Sequence, residues 1–409
     1  MTAEQLAVTP APPQRRRLRV VHVITTLTAG GAERQVELLA GDSQHDVSVI
    51  ALFRGGIVEQ GLRERGVPVR VLGGMAGAGR LTAVPRLARL LRTLHPDVVH
   101  THLLSGQLWG IPAAHLAGVP VVLTTEHSIM QDTIENRPKT ERLRRLYLAL
   151  NRLTAATIAV SPATVQRLRD WGVPGTDAMP VINPPIDVVA LRGGSGDARA
   201  ELGIAPDAVV IGAVGRLETV KRFGPLLAAL APRLQAGAHL LVVGEGPARA
   251  ELRAQTEALG VAATVHLVGA RSDVGPLLAA MDVFVSPSRD ETFGMAAVEA
   301  AVAGLPVVYV QCPAFDDLDL PAERFRAVSP TLDAAAERAA LAAAVEDLLP
   351  AGRDVAATPV ALTDRYGAAQ TAARVDELYR VLSARVAQRS RRSRAPSARR
   401  RRSSGTARP

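Results

Sequence analysis

The chain has 409 residues, enough for two domains that each bury a core. Its 47% apolar and 3% aromatic content describes an Ala/Val/Leu-packed α/β protein and excludes a disordered or fibrous one. The formal charge of +9 sits wholly in residues 389–409, which hold nine arginines and no acid; without them 39 basic residues face 39 acidic ones, a neutral body that excludes a basic nucleic-acid groove.

Residues 1–17 are Pro-rich, lack the apolar core of a signal peptide, and are expected to be flexible. A buried strand over Leu18–Ile24 then leads through Thr25–Gly31 into a helical pattern from Ala32 to Leu39. A strand, a glycine turn and a helix start bring backbone N–H groups close to an anion or a hydroxyl-rich ligand. The turn is not Gly-x-Gly-x-x-Gly and no acid follows the second strand at the offset a dinucleotide site needs, which disfavours such a site. Strands recur at Val47–Leu52, Val67–Leu72, Val98–His100, Val119–Thr124 and Thr157–Val160, with helical stretches such as Val84–Leu94 between several of them. This alternation predicts a parallel sheet wrapped by helices. Polar residues gather past the strand ends: His100 and His102, then Glu126 and His127, then Ser161. Ligands of open α/β sheets bind at those ends. His127 is a candidate hydrogen-bonding or acid/base group, while His100 and His102 lack an acid or cysteine at metal-ligand spacing.

Residues 137–157 predict an amphipathic helix with Leu143, Leu146, Tyr147, Leu150 and Leu153 on one stripe and six basic residues beside it. Such a helix packs on a core or docks on an anionic membrane. Pro180–Asp187 and Gly193–Gly196 mark a linker. A second alternating series follows, with strands at Val209–Val214, Leu240–Val243, Val265–Val268, Val283–Val285 and Val307–Val310. Its strand-end loops carry Gly215-Arg216, Gly244-Glu245-Gly246-Pro247 and Gly269-Ala270-Arg271. Two Rossmann-like halves would thus present loops to one cleft. The only lysines are Lys139 and Lys221 in a chain that otherwise writes arginine. Arg216 as a fork and Lys221 as a compact ammonium suit a diphosphate.

The most informative stretch is 281–308. A strand over Val283–Val285 turns at Ser286-Pro287-Ser288, passes Glu291-Thr292-Phe293-Gly294, and enters an Ala-rich helix that carries Glu299 and stops near Gly304-Leu305-Pro306. The two carboxylates flank a helix start whose unpaired N–H groups and positive dipole end suit a diphosphate. By itself this spacing also describes an ordinary β-α-β unit. Cys312 is the only cysteine, so no internal disulfide forms, which agrees with a reducing cytoplasm. The run Phe293–Val310 contains Glu299 and is no membrane span, and Asp316-Asp317-x-Asp319 next to Pro321 is not expected to bind metal.

In order and combination these segments resemble glycosyltransferase family 4, retaining enzymes of the GT-B fold, over roughly Leu18 to Leu382. Gly30-Gly31-Ala32-Glu33-Arg34 looks like the family's acceptor-domain glycine loop, and His100-Thr101-His102 and Glu126-His127-Ser128 look like its cleft histidine segments. Ala159-Val160-Ser161 matches the strand end before the linker. Gly215-Arg216-Leu217 with Lys221, Gly244-Glu245-Gly246-Pro247, and Asp290-Glu291-Thr292-Phe293-Gly294 through Glu299-Ala300 match donor-side elements, the last being the most specific.

The resemblance implies that Glu291 contacts the donor hexose near its reacting face and Glu299 holds the ribose. Gly215, Arg216 and Lys221 would meet the diphosphate, and backbone at Phe293, Gly294 and Met295 would complete the anion site. Arg271 would meet the base, His127 the sugar side, and Gly30, Gly31 and His102 the acceptor. It further implies a nucleotide-diphosphate sugar as substrate, no cofactor and no metal. The acceptor would be a lipid-linked glycan or a polysaccharide of the cell envelope, and the setting cytoplasmic, with a peripheral place at the inner membrane face through residues 137–157 and the Arg-rich tail. No nucleic acid is expected.

The implied map is a flexible 1–17, an acceptor domain 18–187, a donor domain 188–365, a helix 366–388 crossing back to the first domain, and a disordered tail 389–409. Two departures stand out: Asn183-Pro184-Pro185-Ile186-Asp187 replaces the family's Asn-Gly before the linker acid, and Gln311–Asp317 replaces its Gly-rich turn. A nucleotide-sugar epimerase of the same architecture and a non-catalytic sugar-nucleotide-binding partner remain the alternatives. A related phosphorylase would need a late lysine, and none follows Lys221.

Overall fold

In a computed structural model the chain is described over residues 16–73, 79–194, 197–331 and 333–394. The first half builds a six-stranded sheet from β1 (Arg19–Thr26), β2 (Asp46–Arg54), β3 (Val69–Val71), β4 (Val98–His102), β5 (Val121–Glu126) and β8 (Ala156–Ala159). Its order is β3-β2-β1-β4-β5-β8, with every pairing parallel. A two-stranded hairpin, β6 (Thr133–Ile134) and β7 (Arg137–Pro138), stands apart from it. The second half repeats the plan with β9 (Val210–Val214), β10 (His239–Val243), β11 (Val265–Gly269), β12 (Val283–Ser286), β13 (Val307–Tyr309) and β14 (Phe325–Ala327), ordered β11-β10-β9-β12-β13-β14.

The central strands β4 and β5 are buried at every position. Helices cover both faces of a parallel sheet, so such strands are buried at successive rather than alternate positions; in β4 and β5 the leading residues are apolar and the buried polar ones gather at the C-terminal ends. In each sheet the order reverses beside the first strand, at β1/β4 and at β9/β12. A crevice for a ligand opens at that point in open α/β sheets.

The chain passes between the halves twice, at Ile186 and at Gly367, and these crossings lie side by side. Ile186 N–H donates to the Tyr366 carbonyl at 2.7 Å, and Ala368 N–H donates to the Ile186 carbonyl at 3.0 Å. Pro184 does not disrupt this join, because the neighbouring Asn183 amide is buried and donates to the Val160 carbonyl at 3.0 Å. After the second crossing the helix Ala368–Arg394 lies on the first sheet, where Ala372, Val375, Tyr379 and Leu382 pack against Val20, Val98, Val121 and Leu123. Asp376 fastens it by accepting from Ser43 Oγ at 2.7 Å and Gln44 N–H at 2.8 Å.

Several boundaries differ from the sequence reading. The helix expected over 137–157 spans Glu141–Asn151, because Arg137–Pro138 belongs to the hairpin and Thr140 caps the helix by accepting from Leu143 N–H. Of its apolar stripe, Tyr147 and Leu150 are buried while Leu146 and Leu153 are 45% and 46% exposed. Val67–Leu72 shortens to Val69–Val71. The helix at Gly31–Asp42 runs three residues past Leu39. The last helix continues to Arg394, six residues into the Arg-rich segment; residues 1–15 and 395–409, where flexible ends were expected, lie outside the described residues.

Candidate active site between the two sheets

The C-terminal ends of β1, β9, β10 and β12 open on one cleft of about 950 Å³. Its wall includes Gly30, Gly31, His127, Gly215, Arg216, Lys221, Arg271, Glu291, Phe293, Gly294, Met295 and Glu299. Every expected site residue except His102 therefore meets in one place. His102 is fully buried and stands behind His127, with its Nδ1 2.9 Å from His127 Nε2.

The floor on the second-domain side is the start of the helix Met295–Val302. Its only charged residue is Glu299, and Ala297, Val298, Ala300, Ala301 and Val302 are buried. A helix this apolar is held by the core on most sides, so its N-terminus is fixed in direction. Gly294 caps it at φ +97°, a conformation that side chains other than glycine rarely adopt. A Cβ there would also lie 2.4 Å from Cys312 Sγ. Phe293 is buried edge-on against Tyr366, and the Tyr366 hydroxyl donates to the Ala314 carbonyl at 2.7 Å. The Gln311–Asp317 departure thus becomes the underside of the site. Cys312 packs beneath Gly294, and Gln311 Oε1 accepts from Glu291 N–H at 2.9 Å. Ala297 N–H donates to the Gly294 carbonyl at 3.0 Å, while the N–H groups of Met295 and Ala296 precede the first bonds of the helix, and both residues line the cleft.

Lys221 Nζ lies 2.6 Å from Glu291 Oε1. A buried clamp that the sequence did not reveal holds Lys221 in position. Arg222, in the left-handed region at φ +59°, and Arg289 both pair with Glu337, whose side chain is 1% exposed. Arg216 pairs with Glu218 at 3.1 Å but keeps half its surface free toward the cleft. Arg271 is bidentate with Asp273 at 2.9 Å, on the wall beyond Gly275. Glu299 is only half-buried by surface yet has protein packed around its carboxyl; this desolvation raises it to about 7, against a smaller lowering by Arg34.

The first domain contacts this floor directly. Ser161 caps the helix Pro162–Asp170 by accepting from Thr164 N–H at 3.1 Å, and its hydroxyl donates to the Thr292 carbonyl. Thr292 Oγ1 donates to the His127 carbonyl at 2.8 Å. Asp290 accepts from Gln131 N–H at 2.9 Å and pairs with Arg167 at 2.7 Å. A Cβ on Gly31 would lie 3.2 Å from Met295 Sδ. The hairpin tip adds Asn136, whose amide reaches Glu218 at 3.2 Å. Glu135 and Asn136 sit at φ +47° and +61°, the pair of values that a two-residue hairpin turn demands. Asn136 between Ile134 and Arg137 was the signal for that turn. Glu33 and Glu135 are both raised, mainly by desolvation on this side of the cleft.

Comparison with known proteins agrees with this architecture. Residues 29–189 match the model of Glycosyltransferase Family 4, and residues 208–350 match that of Glycosyl transferases group 1. The 2-deoxystreptamine N-acetyl-D-glucosaminyltransferase of Streptomyces fradiae is 32% identical over 73% of this chain and 74% of its own length. The D-inositol 3-phosphate glycosyltransferase of Segniliparus rotundus is 31% identical over 72% of this chain, a match spanning 65% of its length. Among solved structures, Anabaena Alr3699/HepE in complex with UDP and glucose superposes with a TM-score of 0.75 at 22% identity, over 88% of this chain and 99% of that one. Sucrose-phosphate synthase of Thermosynechococcus elongatus gives 0.69 at 22% identity, over 90% and 100%. At that identity the solved structures speak to the fold alone, two Rossmann-like domains facing a cleft. With the family models and the Streptomyces relative, they show that the chain belongs to glycosyltransferase family 4 and has the GT-B fold.

Proposed function

We propose that the protein moves a hexose or N-acetylhexosamine from a nucleotide-diphosphate sugar to a lipid-linked or polysaccharide acceptor, with retention of configuration and without a metal or other cofactor. The observation that carries this reading is the convergence of Lys221, Arg216 and the N-terminus of the helix Met295–Val302 on one cleft. When the bond from the sugar's anomeric carbon to the β-phosphate oxygen breaks, its electron pair stays on the diphosphate. Fixed cations and helix N–H groups stabilise that charge without reorganising. The acceptor oxygen then bonds to the anomeric carbon, and its proton passes to the departing phosphate oxygen. Glu291 is engaged by Lys221 and so is poorly suited to act as a free nucleophile, which favours attack on the face the leaving group vacates.

The acceptor setting is inferred from the surface of the helix Glu141–Asn151. Leu146 and the nearby Leu153 are exposed beside Arg145 and Arg152, which suits a peripheral position on the inner face of an anionic membrane. No helix among the described residues is long and apolar enough to cross a membrane. The relatives named for 2-deoxystreptamine and D-inositol 3-phosphate favour a second reading, in which a small cyclitol takes the sugar.

A thermal-shift panel of UDP, GDP, ADP and CMP tests the donor side. A ligand at a hundred times its Kd adds about 2.7 kcal/mol. UDP, the nucleotide held by the Anabaena neighbour, is the expected stabiliser. No shift with any nucleotide overturns the proposal, and donor turnover without an acceptor favours the epimerase alternative.

A further inference from the structure

Behind His127 lies a line of buried polar groups that the proposed reaction does not use. His22 and His100 are register partners on β1 and β4, and His102 follows two residues along β4 on the same face. His127 Nε2 is 2.9 Å from His102 Nδ1, and His102 Nε2 is 2.8 Å from His22 Nδ1. His22 Nε2 is 3.4 Å from the Tyr379 hydroxyl, which is 2.7 Å from His100 Nδ1. His100 Nε2 ends the line 2.7 Å from Thr125 Oγ1. All four rings and Tyr379 are buried. The one free ring nitrogen is His127 Nδ1, which is buried without a partner on a residue that lines the cleft.

Burial keeps the four imidazoles neutral, lowering His22 and His127 to about 3 and His100 and His102 well below the ordinary range. A neutral imidazole carries one N–H and one lone pair. Each link holds one proton, so the direction of any link fixes the direction of the next. The line therefore has two whole-chain states. In one, every ring carries its proton on Nε2 and His127 shows the cleft a lone pair at Nδ1. In the other, every ring carries it on Nδ1 and His127 shows the cleft a donor.

Tyr379 decides between them. Its hydroxyl has a single proton and a short contact to His100 against a long one to His22. A phenol donates to an imidazole lone pair more strongly than it accepts, and short O–H···N contacts are of that kind. With Tyr379 donating to His100, its oxygen accepts from His22 Nε2–H, and the direction passes through His102 to His127. We propose that Tyr379, on the helix that returns from the second domain, is a positioning residue that holds His127 in the Nε2–H tautomer, so that Nδ1 accepts a hydrogen bond from a hydroxyl in the cleft. The proposal rests on the transferase reading for the nature of that hydroxyl.

The same histidines offer a metal-binding alternative, since nitrogens of His22, His100 and His102 lie within 4.8 Å of one another. All six of their ring nitrogens are already engaged in the line, and a dication there would be buried among neutral groups.

Long-range proton–nitrogen spectra of the full chain with nitrogen-15 histidine test the proposal. The His127 signal is assigned by its loss in His127→Gln. In the substrate-free wild type, His127, His102, His22 and His100 should all show the Nε2–H signature. In Tyr379→Phe, which keeps the ring and removes the hydroxyl, His127 should lose its single-tautomer signature while the fold is retained. A wild-type His127 protonated at Nδ1 overturns the proposal even if the variant does not fold. So does an unchanged His127 signal in a folded Tyr379→Phe, or stoichiometric zinc in the purified protein. The nucleotide panel is read separately: UDP binding with an unmoved His127 sinks the positioning role alone, and the expected tautomers without nucleotide binding sink the transferase reading alone.

Discussion

Lys221 Nζ and Glu291 Oε1 stand 2.6 Å apart although 70 residues separate them, and both face the cleft. The ammonium anchors the carboxylate at the cleft wall, where the proposed reaction would place the sugar and its diphosphate. On the proposed reading Lys221 would meet the diphosphate while it stays paired with Glu291. Replacing Glu291 by Ala should lower turnover by about 10²–10³ with the fold retained, as for loss of a preorganised group at the reacting centre. Steady-state kinetics with a circular-dichroism melt check this. Wild-type turnover in the variant would remove Glu291 from the chemistry.

Gly294→Ala should weaken nucleotide binding without touching a charged group. The alanine must adopt φ near +97° and place its Cβ 2.4 Å from Cys312 Sγ, so the first turn of the helix that lines the cleft has to shift. Strain of this kind costs about 1–3 kcal/mol. The melting temperature should fall, and the UDP-induced shift should shrink. Cys312→Ala relieves the contact but not the backbone strain, so adding it should restore only part of the loss.

Glu126 gives a pH-dependent prediction. Its Oε2 accepts from Gln107 at 3.2 Å and Tyr147 at 3.1 Å, yet desolvation, helped by Glu135, raises the carboxyl from 4.5 to about 7. A raised carboxyl binds its proton more tightly in the folded state. Its stabilisation is therefore complete below pH 4.5 and is lost as pH rises through 7. Glu126→Gln keeps an oxygen to accept both bonds and never ionises. The variant should match the wild type at pH 4.5 and be more stable at pH 8 by on the order of 3 kcal/mol. Urea midpoints at the two pH values measure the difference, and an equal effect at both contradicts it.

The returning helix should depend on Asp376, which is 1% exposed and accepts from Ser43 and Gln44. Asp376→Ala leaves those donors without their acceptor, at a cost of about 1–3 kcal/mol. A lower melting temperature with an unchanged UDP-induced shift is expected, since this contact lies away from the cleft. A loss of UDP binding equal to the loss of stability would instead tie the helix to the site.

The sequence by itself determined the two alternating halves, because a buried parallel strand and the helix behind it each leave a local apolar period. With the family resemblance it also singled out Glu291, Gly294, Glu299, Arg216 and Lys221, which sit on strand-end loops and on the helix Met295–Val302, where the chain itself supplies the geometry. Only the tertiary structure decided what holds them. Glu337 reaches Arg222 from 115 residues away, Ser161 reaches Thr292 from 131, and Tyr379 reaches His100 from 279. Such contacts have no period and no motif. They arise from how two separate sheets and a returning helix come to face one another, so neither partner bears a mark of the other in its own stretch of sequence. The same reason kept His22 hidden: it reads as one more residue of an apolar strand until its register partner His100 is set beside it.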